Sequence, residues 1–92
     1  MEHKPIKFTK HALSYAGRRG FNEDEVTSAI RTSAWEPADL GRLQCRKDFP
    51  FGKEWNRKIY EIKQVRPIFV EEDMEIVVIT VYTYYYQKGE GR

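Results

Sequence analysis

Ninety-two residues, 40% hydrophobic, 33% charged and 14% aromatic, make one domain that folds; two domains would each fall below the size at which cores usually suffice, and disordered chains are poor in aromatics. Sixteen Lys and Arg stand against 14 Asp and Glu, a net charge of +2. That excludes a polybasic, histone-like binder, so any nucleic-acid site must be a local patch. The lone Cys45 excludes an internal disulfide and fits a reducing compartment. Cys45, His3 and His11 cannot make a four-ligand Cys/His metal set, and no phosphate-cradling Gly-rich loop is present. Neither a signal-peptide core nor a membrane span is visible, and the expected location is cytoplasmic.

In chain order, Thr9 is an N-cap with Phe8 and Leu13 at staple spacing, opening a helix that runs to about Arg19 and stops at Gly20. Asn22 and Glu25 have capping-box spacing, and Phe21 and Val26 form a second staple. Glu23, Asp24 and Glu25 complement the helix dipole, Val26, Ala29 and Ile30 give the apolar stripe, and the helix ends near Ser33. Residues 34–36 form a short strand stopped by Pro37, and 38–41 a turn. Residues 42–49 alternate weakly, with Leu43 and Cys45 on one face. Residues 50–56 read as a loop. Residues 57–71 read as a strand interrupted at Pro67. Residues 76–86 carry the strongest strand signal, dense in β-branched and aromatic side chains. The ordered core spans about 8–86, with a frayed tail over 87–92.

The fold class is α+β: two N-terminal helices packed on one face of a three- to four-stranded antiparallel β-meander. If 72–74 is the loop and Glu71 faces Glu75, one face pairs Phe69 with Val77, Pro67 with Ile79 and Val65 with Val81, and this is the core. The other pairs Ile68 with Val78, Arg66 with Thr80, Gln64 with Tyr82, Ile62 with Tyr84 and Tyr60 with Tyr86. Thr80, Tyr82, Tyr84 and Tyr86 share a face, and Tyr85 points the other way.

The stretches His11-Ala12, Arg18-Arg19-Gly20-Phe21 and Asn22-x-x-Glu25-Val26, with Val78-Ile79-Thr80-Val81-Tyr82 late in the chain, resemble a small bacterial domain family related to RelE- and BrnT-type toxins. The resemblance implies a RelE/BrnT toxin-like fold and a toxin-family endoribonuclease that cleaves RNA without a metal or other cofactor. It also implies an antitoxin protein as partner. Tyr15 stands where the family often carries arginine.

Metal-independent RNA cleavage needs a base for the 2′-hydroxyl, an acid for the leaving oxygen and cations for the phosphorane. His11, Tyr15 and Arg18 fall on one helical face, Arg19 is adjacent, and Arg66 offers a guanidinium fork. Thr80 and Tyr82 supply hydroxyls. The catalytic candidates are His11, Arg18, Arg19, Arg66, Thr80 and Tyr82; the substrate- or partner-binding candidates are Tyr15, Gln64, Tyr84 and Tyr86. Each has a plainer reading: His11 as a locally bonded helix residue, Arg18 and Arg19 as dipole partners, Arg66 as an edge-strand charge, the tyrosines as cover for a half-buried sheet. Phe49, Phe51 and Trp55 read as a satellite core, and Cys45 as a core residue. The alternative function is a non-catalytic binding or assembly module whose tyrosine face meets a homodimer partner, an antitoxin or RNA.

Overall fold

The computed structural model describes residues 3–89. Strand β1 (Ile6–Phe8) leads into helices α1 (Lys10–Ser14), α2 (Ala16–Arg19) and α3 (Glu23–Thr32). Short strands β2 (Glu36–Pro37) and β3 (Leu43–Gln44) flank a 3-10 turn at Asp39–Gly41, and long strands β4 (Lys47–Trp55), β5 (Lys58–Glu71) and β6 (Ile76–Tyr86) follow. The sheet runs β1-β6-β5-β3-β2, with β4 pairing the same β5 further along. The architecture is α+β, as expected.

The sheet is mixed, not an antiparallel meander: β1 lies parallel to β6, Ile6 opposite Ile76 and Phe8 opposite Val78. A three-residue strand is too short to show alternation, so its sequence gives no signal. Helices occupy one face of the sheet. Ala12, Phe21, Val26, Ala29 and Ile30 meet Cys45, Val65, Phe69, Ile76, Val78 and Val81 in one buried cluster.

The caps fall where expected. Thr9 Oγ1 accepts the Ala12 N–H, the reciprocal Asn22–Glu25 box opens α3, and Gly20 closes α2 at φ 76°. The first helix, expected to run unbroken to Arg19, breaks at Tyr15. The Ser14 hydroxyl donates to the His11 carbonyl at 2.7 Å, and the Tyr15 N–H closes on Ala12 instead; local side-chain bonds of this kind compete with the helix ladder. Of the first staple, Leu13 is exposed, while Phe21 and Val26 of the second are both in the core.

Residues 50–55, expected as loop, continue β4. Asn56 and Arg57, at φ 50° and 70°, form a two-residue hairpin turn between Trp55 and Lys58. Pro67 does not interrupt β5. It sits buried opposite Val81, and across β5 it faces the gap between β3 and β4, where no ladder bond asks for its missing N–H.

The final hairpin has a different register. Glu71 pairs Ile76, Val70 pairs Val77 and Phe69 pairs Val78; then Ile79 bulges, and Ile68 pairs Thr80, Arg66 pairs Tyr82, Gln64 pairs Tyr84 and Ile62 pairs Tyr86. The bulge corrects the expected core face: Ile76 and Val78, not Val77 and Ile79, are buried, and Val81 joins them beyond it. The uninterrupted alternation expected over 76–86 therefore holds only beyond Ile79. Thr80, Tyr82, Tyr84 and Tyr86 still share the face away from the helices, with Tyr85 on the other. Near the C-terminus, Gln87 Nε2 donates to the Ile59 carbonyl and the Lys88 N–H to Glu61, so these tail positions are tied to β5. Positions 90–92 of the expected tail lie outside the described residues.

Candidate functional site

Beyond Val78 the outer edge of β6 has no strand partner among the described residues. The helical segment closes it with side chains: Thr9 Oγ1 donates to the Ile79 carbonyl at 3.1 Å, and Arg19 Nη1 to the Val81 carbonyl at 2.7 Å and Thr80 Oγ1 at 3.3 Å. Thr83 returns a bond to the Arg19 carbonyl. Such cover protects an edge from pairing with another chain. It also brings the Arg19 guanidinium to the rim of the open sheet face.

There it joins a ladder of rings and cations. The His11 ring meets Tyr15 edge-on at 5.0 Å, and Arg19 lies 4.0 Å from the Tyr15 centroid and 4.9 Å from that of Tyr82. Arg66 lies 5.1 Å from the Tyr82 centroid and 5.4 Å from that of Tyr84. Arg18 stacks toward Tyr15 at 5.5 Å. Each cation at these distances gains about 0.5–1 kcal/mol from the ring quadrupole when exposed. Tyr82 and Tyr84 are exposed, so the ladder lies open to solvent.

Not every candidate is free for a ligand. Thr80 is buried and accepts from Arg19, so it positions that guanidinium. Gln64 Nε2 donates to Asp48 Oδ1 at 2.9 Å, and the Tyr86 hydroxyl donates to Asp48 Oδ2. His11 and Arg18 are exposed on the helices, at the far end of the ladder from Arg66 and Tyr84.

A groove of about 650 Å³ opens beside the ladder. Turn residues 37–40 and Arg42 form one wall; Gln44, Arg66, Ile68 and Tyr82 complete the lining. His11 is not among the lining residues. Arg66 Nε is buried without a protein partner, and neither Arg42 nor Arg66 is ion-paired among the described residues. Nearby, Arg46 bonds Glu36 at 2.9 Å, and that hydrogen bond and charge hold the Glu36 carboxyl below its ordinary range. Arg42 and the groove itself were missed by the sequence reading; only the bend of the turn against the sheet joins Arg42 to Arg66, and no spacing signals it.

On the helix side, Tyr85 has different surroundings. Its ring stacks on Trp55 at 4.7 Å, Phe51 and Tyr60 flank it, and its hydroxyl donates to the Arg19 carbonyl. Buried Lys63 donates to the Gly20 carbonyl at 2.8 Å and pairs with Glu25 at 2.7 Å. A Cβ on Gly20 would run into the Tyr85 hydroxyl and the Trp55 ring. Phe51 and Trp55 thus belong to a satellite core, while Phe49 packs on the main one.

Much of the motif that carries the family resemblance serves the fold: Ala12, Phe21 and Val26 are core, Gly20 is a left-handed cap, and Asn22 and Glu25 are a capping box. Among the described residues no group of three or more His, Cys, Asp or Glu is placed to hold a metal, and no helix is long and apolar enough to cross a membrane. The chain matches no family profile, no characterised protein and no solved structure.

Proposed function

We propose that this chain is a metal-independent endoribonuclease of the RelE/BrnT toxin type, with single-stranded RNA lying along the ladder. The observation that carries this reading is the ladder itself, which joins His11, Tyr15, Arg19, Tyr82, Arg66 and Tyr84 through successive ring contacts. Single strands are held by cations that track phosphates and by rings on which bases stack, and a ladder of alternating arginines and tyrosines supplies both without high net charge. In this reading His11 takes the 2′-hydroxyl proton and, as imidazolium or through a water, returns it to the leaving 5′-oxygen. Arg19 and Arg18, the cations beside Tyr15, stabilise the phosphorane, Arg66 holds a phosphate further along the strand, Tyr82 orients the strand, and Thr80 holds Arg19 in place. An antitoxin would inhibit by covering the same open face, and the expected setting is the cytoplasm.

The test is incubation of a defined single-stranded RNA with the full chain in excess chelator. Cleavage leaving 2′,3′-cyclic phosphate ends is expected, with His11→Ala lowering the rate about 100-fold or more. RNA left intact, or cleavage untouched by His11→Ala, overturns the reading.

One observation favours a second reading, a non-catalytic binding or assembly module: the groove on the open face is lined by Arg66 and Tyr82 but not by His11. RNA or a protein partner bound through Tyr84 and Tyr86, with no cleavage, is its signature. Tyr84→Ala with Tyr86→Ala leaving all binding unchanged would end it.

A further inference from the structure

We propose that the groove between the 37–42 turn and the open sheet face is a site for a small nucleotide, taking a phosphomonoester on Arg42 and Arg66 with its base against Tyr82. It shares Arg66 and Tyr82 with the RNA track but does not depend on cleavage.

Four observations converge on this ligand. First, two arginines and a single carboxylate, Asp39, line the groove; Glu36, the other carboxylate within electrostatic reach of Arg66, is already bonded to Arg46, and neither Arg42 nor Arg66 is ion-paired among the described residues. An anion is therefore favoured, and a phosphomonoester presents the oxygens that a guanidinium fork binds in pairs. Second, the guanidinium of Arg66, a residue of the groove lining, lies 5.1 Å and 5.4 Å from the Tyr82 and Tyr84 ring centroids, so the rings hold the fork in place before any ligand arrives. Third, a volume of about 650 Å³ lies within the range of small-molecule sites, roughly 300–1,000 Å³, and far exceeds a lone ion. Apolar floor at Ile68 and the exposed ring of Tyr82 suit a planar base beside the phosphate. Fourth, the wall is held in an unfavourable shape. Leu40 sits at φ 62° and is 85% exposed, so nothing it buries explains the strain. Backbone strain of this kind concentrates at ligand clamps.

The experiment is calorimetric titration of the full chain with adenosine 5′-monophosphate, inorganic phosphate and adenosine, repeated with R42Q, R66Q and Y82A. The monophosphate should bind about tenfold or more tighter than either fragment, as stacking of one base implies. R42Q and R66Q should each weaken it about tenfold, and Y82A should reduce it to the affinity of inorganic phosphate. Thermal unfolding of each variant confirms that it is folded; R42Q lies on an exposed turn and carries the test if R66Q does not fold. No monophosphate binding, or binding unchanged by R42Q, overturns the proposal, and phosphate bound as tightly as the nucleotide removes the base. H11A separates the two readings. Nucleotide binding with cleavage absent in the parent chain defeats the nuclease alone, and cleavage lost in H11A with no nucleotide binding in either chain defeats the groove alone.

Discussion

Tyr84 and Tyr85 are neighbours on β6, and each stands in a cluster of aromatic rings and cations. Around Tyr85 the buried polar groups have internal destinations: the Tyr85 hydroxyl reaches the Arg19 carbonyl, and Lys63 reaches both Gly20 and Glu25. Around Tyr84 the opposite holds. Arg66 lies on two tyrosine rings with a buried Nε that nothing accepts, beside a groove. Both clusters set aromatic rings beside cations, Trp, Phe, Tyr and Lys in one and Tyr and Arg in the other. Burial alone does not distinguish a structural cluster from a ligand-binding one; satisfaction does.

The largest effect that tests this contrast belongs to the closed side. Lys63→Met leaves Glu25 and the Gly20 carbonyl without their buried partner and should lower unfolding free energy by about 3–5 kcal/mol in urea titration. Arg66→Gln should stay within about 1 kcal/mol of the parent chain. Equal losses would erase the distinction. Gly20→Ala comes next. The new methyl meets Tyr85 and Trp55 on a left-handed backbone, and a loss of about 2 kcal/mol is expected by the same measurement.

Alkaline titration gives a further separation. Burial pushes the Cys45 thiol up to about 11, and burial likewise raises Tyr85. A folded-state pKa above the unfolded value means stability is intact below the unfolded pKa and is lost as pH climbs toward the folded one. Stability should fall by the order of 2 kcal/mol as pH rises from 9 to 11. Cys45→Ala should flatten that slope, and Tyr85→Phe should remove an additional part above pH 10.

On the open side the reading is salt dependence. Arg66→Gln should reduce the slope of log affinity for single-stranded RNA against log salt by about one phosphate contact, roughly 0.7. An unchanged slope would move Arg66 out of the ligand path. The smallest effect calibrates both clusters. Arg57→Gly relieves the φ 70° position of the β4–β5 turn and should raise stability by about 0.5–1 kcal/mol with RNA affinity unchanged.

The helix caps were legible in the sequence because capping is local. Thr9 with Ala12, and Asn22 with Glu25, meet within one turn. The candidate site was legible in part. Tyr82 and Tyr84 share a face because strand alternation puts them there, and Arg66 joins them because the register moved by two residues from the expected one, which preserves facing. The bulge at Ile79 was not legible, since no residue in a uniform β-branched run marks it. Nor was the role of Thr80. A threonine on the expected ligand-facing side turned out to hold Arg19, because the edge of β6 needs cover once β1 ends.

By itself the sequence determined the α+β class, both N-caps, the left-handed stop at Gly20, and the division of Tyr84, Tyr85 and Tyr86 between two faces. These follow from spacing within a few residues, where backbone geometry alone decides. Only the tertiary structure decided the parallel β1, the tolerance of Pro67 within a long strand, and the placement of Arg42 and Arg66 in the lining of one groove. Those depend on which strand edges remain unpaired and on contacts between residues far apart in the chain, and no local period encodes either.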